Sequence, residues 1–142
     1  MTQLPPMRRL EKDLDACGQL TVEQIRALAK QGIKTLIFNR PDQEEAGQPP
    51  TAELEAEAKS LGMTWHFQPV ISGAVTDEQG VEFGRLLAAS PRPVVAFCRS
   101  GARCGCLWAL SKKDQMSGAA LVEHLKQAGY DMPDFFQRLL QD

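Results

Sequence analysis

Apolar positions along the chain fall into short runs of β-forming residues separated by longer stretches with helical spacing. Leu14–Cys17 reads as a short strand that stops at Gly18. Thr21 and Gln24 have the spacing of a capping box, and Val22, Ile25, Leu28 and Ala29 form one apolar helical face, ended by Gly32. Ile33–Phe38 is rich in β-formers and predicts a buried strand. Pro41, Gly47, Pro49 and Pro50 mark Asn39–Pro50 as a loop. Thr51 is placed to cap a second helix, with Leu54, Ala58 and Leu61 on one face and Gly62 at its end. Thr64–Gln68 predicts the next strand, with Trp65 and Phe67 on one side, and Pro69–Val75 a loop. Thr76 and Gln79 open a third helix that buries Phe83, Leu86 and Leu87. After a turn at Ser90–Pro93, the apolar run Val94–Phe97 predicts the central strand. It leads into Cys98-Arg99-Ser100-Gly101-Ala102-Arg103 and a helix through about Lys112. Ser117 caps a further helix carrying Leu121, Val122, Leu125 and Ala128, closed by Gly129. Pro133 opens a short helix with Phe135, Phe136, Leu139 and Leu140.

This alternation predicts one α/β domain over residues 1–142, a sheet of four or five mainly parallel strands flanked by helices. Ligand sites in such sheets lie beyond the carboxyl ends of the strands. Topology alone therefore brings together Asn39–Glu45, Pro69–Gly73 and Cys98–Arg103. A chain that is 43% hydrophobic and 24% charged has globular composition. Its formal net charge of −2 argues against a nucleic-acid partner but leaves room for a local anion site. No apolar stretch reaches the roughly 20 residues that span a bilayer, and Met1–Leu10 lacks an apolar signal core. No membrane association is expected, and the expected location is the cytoplasm.

The four cysteines, at 17, 98, 104 and 106, change this picture most. In a reducing compartment they argue for chemistry, packing or metal before disulfides. Cys98 follows a strand and precedes a helix, and Gly101 permits the sharp turn between them. The amides of Arg99 to Arg103 can then converge on one spot, joined by the positive end of the helix. The outcome is an anion cradle with a sulfur at its base, whose thiol pKa is expected at about 3.5–7.5. Cys98 and Arg103 are the catalytic candidates. Arg99, Ser100, Gly101, Ala102 and Cys104 from this loop, and Arg40, Asp42 and Ser72 from its neighbours, are candidates to bind the anion or substrate. Alternatives stand beside several of these. Arg40 and Asp42 can pair with each other to shape their loop, and Arg99 can be plainly solvated. Cys104 can be a small packed residue, a hydrogen-bond partner of Cys98 or a resolving thiol. Glu44 and Glu45 read as solvated, His66 as structural, and His124 as lying on the polar side of its helix. Cys98, Cys104 and Cys106 fit no zinc spacing and both histidines are remote, so no metal or cofactor is expected.

The spacing Cys98-x4-Arg103 resembles the six-residue active loop of rhodaneses. Cysteine-dependent phosphatases have a loop one residue longer, usually with His before the Cys, where this chain has Phe97. Four further segments carry a wider resemblance: Gly18-Gln19-Leu20-Thr21, Ile37-Phe38-Asn39-Arg40-Pro41-Asp42, Gly47-Gln48-Pro49 and Val95-Ala96-Phe97-Cys98-Arg99-Ser100-Gly101. They resemble the beta-lactamase-hydrolase-like domain family of bacteria over about residues 7–112, with C-terminal helices at 116–142. The resemblance implies a fold like that of dual-specificity phosphatases and an activity classed as phosphatase or sulfur transfer. Members of that family occur alone or fused to persulfide dioxygenases and sulfide-oxidising flavoproteins.

A phosphatase needs an acid for its leaving group. Pro69–Gly73 offers no carboxylate, and Asp42 is the nearest substitute. Thiolate attack on a sulfane sulfur needs no such acid. The expectation is therefore a sulfurtransferase or persulfide-handling protein. Cys98 would take sulfur from a small-molecule sulfane-sulfur donor and pass it to a thiol acceptor, with sulfide-oxidation enzymes as partners. The alternatives are a phosphatase working through a Cys98 phosphocysteine and a non-enzymatic anion-binding or docking module.

Overall fold

The structure is a computed structural model that describes residues 2–141. Five strands, β1 (Arg8–Glu11), β2 (Leu14–Cys17), β3 (Thr35–Phe38), β4 (Thr64–Phe67) and β5 (Val94–Phe97), form one sheet in the order β1-β2-β5-β3-β4. All neighbours are parallel except β1 and β2. The helices are α1 (Val22–Lys30), α2 (Thr51–Ser60), α3 (Asp77–Ala89), α4 (Ala102–Ser111), α5 (Gly118–Gln127) and α6 (Pro133–Gln141). Among the described residues, no helix is long and apolar enough to cross a membrane.

β5 lies in the middle of the sheet because every one of its side chains is apolar and both of its faces are covered. Alternate residues go to opposite layers. Ile37, Val94 and Ala96 pack against Phe83, Leu107, Trp108, Leu121 and Leu125 from α3, α4 and α5. Leu36, Phe38, Val95 and Phe97 pack against Ile25, Leu28, Leu54 and Ala58 from α1 and α2. Burying one such side chain stabilises the fold by about 1.5–3 kcal/mol, so these two layers fix the strand order.

Both capping boxes form, at Thr21 with Gln24 and at Thr76 with Gln79. Thr51 differs from the expectation. It is the first residue of α2, and Pro50 at the cap has no side chain to accept a bond. Asp42 supplies the cap from the preceding loop, its Oδ1 accepting from Thr51 N at 2.8 Å and Thr51 Oγ1 at 2.6 Å. β1 is an addition to the elements that the apolar pattern predicts. Only Leu10 of its four residues is buried, and Asp13 turns the chain back at φ 61°.

Candidate active site

Cys98 sits directly after β5, where its amide donates to Cys17 O at the end of β2 (3.4 Å). Gly101, at φ +92°, then turns the chain into α4. A Cβ at this glycine would be 3.2 Å from Cys17 O, and one at Gly18 would be 3.0 Å from Arg99 O. Only residues without side chains allow β2 and the loop to approach this closely. Two loop carbonyls are bonded by groups from outside the loop. Gln19 N donates to Arg99 O (3.2 Å) and Tyr130 Oη to Gly101 O (3.0 Å). The amides are left to face the sulfur, with Gly101 N 3.1 Å from Cys98 Sγ.

The Cys98 thiol is held down at about 5. The main cause is the neighbouring thiol of Cys104, which acts as a hydrogen-bond donor; burial opposes it, and the main-chain amides of Ser100, Cys104 and Arg103 add to it. Cys104 has one proton and two acceptors, Cys98 and Asn39 Oδ1 at 3.2 Å. Once Cys98 is ionised, the thiolate is the stronger acceptor. Burial pushes Cys17 and Cys106 up to about 12, and raises Cys104 far above the ordinary thiol range. Among the four cysteines, only Cys98 is thus a nucleophile near neutral pH.

Arg103, in the first turn of α4, is 6% exposed. Its Nη1 and Nη2 donate to the two carboxylate oxygens of Glu44 at 2.7 and 2.9 Å, and Nη1 also donates to Val70 O at 3.0 Å. These bonds engage both Nη atoms, and Nε takes part in none of them. Glu44 also accepts from Arg40 Nε (2.9 Å), and its carboxyl is held at about 2, chiefly by Arg103. Arg40 is buried; its Nη1 donates to Gln19 Oε1 at 2.9 Å and its Nη2 to Glu45 at 2.8 Å. Arg99 is largely exposed, 3.7 Å from Glu45.

These groups line a cavity of about 700 Å³: Arg40, Glu44, Glu45, Ser72, Arg99, Ser100, Ala102 and Arg103. The structure thereby brings Arg40 and Ser72 to the cysteine loop, as the topology requires. Cys98 is buried at the base of that loop, and Cys104 is buried completely. Asp42 does not join them. Both of its contacts are to Thr51, so its role is to cap α2, and the Arg40–Asp42 pair gives way to Arg40 with Glu44 and Glu45. Glu44 and Glu45 are not merely solvated, as a run of acidic residues in a loop suggests; they fix both buried arginines. Asn39, at the start of a loop that the topology brings to the site, and Tyr130, which no local sequence signal marks, also serve it. His66 bonds Ser90 Oγ (3.1 Å), and His124 is half-buried, stacked on Trp108 and bonded to Leu10 O.

The family described as beta-lactamase hydrolase-like protein, phosphatase-like domain, matches residues 6–129. The beta-lactamase hydrolase-like protein of Agrobacterium fabrum is 33% identical over 126 residues, 87% of this chain and 29% of that protein. This chain therefore spans less than a third of that relative's length. A solved structure from Neisseria meningitidis, a candidate phosphatase, superposes with a TM-score of 0.82 at 33% identity, covering 92% of this chain and 94% of the other. The core catalytic domain of a PP-IP phosphatase from S. cerevisiae superposes with a TM-score of 0.71 at 16% identity, covering 99% and 87%, a likeness of fold alone.

These matches overturn the sulfurtransferase expectation, and with it the rhodanese and persulfide assignments. Two of the features that suggested sulfur transfer, the loop length and Phe97, have a cause in the fold; the third, the absent acid, stands, since Asp42 caps α2. The short loop closes on a phosphatase-like scaffold because Gly101 turns at positive φ against Cys17. Phe97 stands where phosphatases usually have His because its side chain belongs to the core, stacked on Phe38 at 4.3 Å, while Cys104 and the amides stabilise the thiolate. In sequence and in fold, the chain belongs to the beta-lactamase hydrolase-like, phosphatase-like domain family.

Proposed function

We propose that the protein is a cysteine-dependent phosphatase that cleaves phosphate monoesters through a phosphocysteine on Cys98. The observation that carries this reading is a thiol held at about 5 beneath converging amides and beside Arg103. Cys98 Sγ attacks phosphorus, forming an S–P bond as the P–O bond to the alcohol breaks. The leaving oxygen keeps the electron pair and takes its proton from water, since Asp42 caps α2 and Pro69–Gly73 holds no carboxylate; this favours esters of acidic alcohols such as phenols. Water then attacks the phosphocysteine, releasing phosphate and restoring the thiolate. Through both steps the amides and the Nε side of Arg103 stabilise the equatorial oxygens, as preorganised donors rather than reorganising solvent.

Glu44 acts in this scheme as a positioning residue. Together with Val70 O it fixes one end of the Arg103 guanidinium and so aims the other end. Arg40 in turn holds Glu44.

The test is an acid quench during turnover of an aryl phosphate, followed by mass spectrometry of the peptide carrying Cys98. A phosphate adduct on Cys98 is expected, with hydrolysis lost on the order of 10⁴–10⁶-fold in Cys98→Ser. Hydrolysis that survives this substitution, or no hydrolysis and no adduct in the wild type, overturns the reading.

A further inference from the structure

A second cavity, of about 380 Å³, adjoins the first, and the two share Ser72, Ala102 and Arg103. We propose that this cavity is an apolar subsite that receives the organic group of the phosphate ester, selecting monoesters with an aryl ring or alkyl chain over sugar phosphates and polyphosphates. The inference rests on the phosphatase reading.

The argument starts from the walls. Val75, Cys106, Met132 and Phe135 are apolar, and they are joined by three charged residues, Arg103 on the shared wall, where it pairs with Glu44, and Asp134 and Arg138. The charge of Arg138 is already met by protein acceptors. Its Nη1 donates to Val75 O and its Nη2 to Asp77 Oδ1, both at 2.6 Å, and its guanidinium lies 5.7 Å from the Phe135 ring. Asp134 is an exposed acidic residue, so it repels a second phosphate. A ligand group here gains by leaving water, not by pairing charge.

The cavity is also held in shape. Phe136 and Leu139 anchor α6 in the core, and Phe135, one turn before Leu139 on the same side, packs half-buried against the edge of that core. Met132 Sδ lies 3.8 Å from Cys106 Sγ. Continuity with the cradle identifies the occupant. In-line attack by Cys98 leaves the ester oxygen opposite the sulfur, in the first cavity, and the wall of Ser72, Ala102 and Arg103 that this cavity shares with the second gives the group it carries a way in. Met132, Asp134, Phe135 and Arg138 lie beyond residues 6–129, so this wall is built outside the stretch that the family match covers.

Calorimetry with non-hydrolysable phosphonates tests the subsite without turnover. The probes are methylphosphonate, hexylphosphonate and naphthylmethylphosphonate. The two larger probes are expected to bind the wild type at least about tenfold tighter than methylphosphonate, from the apolar area they bury. A gain for the naphthyl probe alone identifies a flat ring, and an equal gain identifies any apolar group; both support the subsite. In Phe135→Ser the advantage should shrink to about twofold with methylphosphonate binding unchanged. Met132→Glu, at a half-buried residue outside the helices, should give the same loss if Phe135→Ser does not fold. Equal affinity for all three probes, or an advantage that survives both substitutions, overturns the subsite. Selective binding without ester hydrolysis leaves the subsite standing and removes the phosphatase reading. Hydrolysis without selective binding does the reverse, and no binding of any probe removes both.

Discussion

The loop Cys98–Arg103 is fixed by its main chain, and the loop Asn39–Pro50 facing it by its side chains. In the first, glycines press against neighbouring carbonyls, and the loop's own carbonyls are bonded by Gln19 N and Tyr130 Oη. In the second, Gln48 Nε2 donates to Pro41 O, Gln48 Oε1 accepts from Glu44 N, Asp42 caps α2, and Glu44 and Glu45 hold Arg40. The difference separates two tasks. A main-chain cradle holds its donors at fixed distances whatever the charge state. A side-chain clamp can be loosened one residue at a time, and it sets where Arg103 points.

The largest effect expected from this contrast lies in the cradle. Alkylation of Cys98 by iodoacetamide should rise through a midpoint near pH 5, with Cys17 and Cys106 unreactive until near pH 12. The sign for stability follows. The Cys98 pKa is lower folded than unfolded, so the thiolate's stabilising contribution is complete above about pH 8.5 and lost as pH falls through about 5. Rate profiles by peptide mass spectrometry that coincide for the cysteines would contradict the cradle.

Gly101→Ala comes next. It forces a side chain to φ +92° against Cys17 O, and it should cost about 1–3 kcal/mol in denaturant unfolding and displace the amides from the sulfur. Unchanged stability would show that the main chain does not set the loop.

Glu44→Gln should lower kcat/KM for an aryl phosphate by about 10- to 100-fold, about 1.4–2.7 kcal/mol, with inorganic phosphate inhibiting correspondingly less well and the Cys98 alkylation midpoint unmoved. Partial rescue by Glu44→Asp is the mark of positioning. An unchanged phosphate affinity would remove Glu44 from that role. The smallest effect belongs to Asp42→Ala, which loses the cap of α2. Stability should fall by about 1 kcal/mol with turnover per folded molecule unchanged, and a large loss of turnover would return Asp42 to the site.

The same contrast separates what is legible in the sequence from what is not. Buried parallel strands are apolar runs and capping boxes are local pairs, so β2 to β5 and most helix starts are legible. β1 is not, because an edge strand with the sequence Arg-Arg-Leu-Glu buries one residue and pairs through its main chain. The cysteine cradle is legible because its geometry is written in six consecutive residues. The clamp is not, because Glu44 meets Arg103 across 59 positions and Asn39 meets Cys104 across 65. Chemistry is the hardest to read. Loop length and the residue before Cys98 look like signs of a particular reaction, yet Gly101 and the aromatic core around Phe97 account for both.

The bond from Tyr130 to Gly101 also has a consequence for the order in which the chain is made. Tyr130 lies 29 positions after Gly101, and its ring packs so closely under Gly105 that a Cβ there would be 2.8 Å away. On a ribosome, Cys98 and its six-residue loop emerge before the residue that braces them. The sheet can assemble at that stage, since β5 is already present, yet the loop still lacks its tyrosine. The brace is thus the last part of the site to be made, after all five strands and α5, and the Gly101 carbonyl waits for its donor until then.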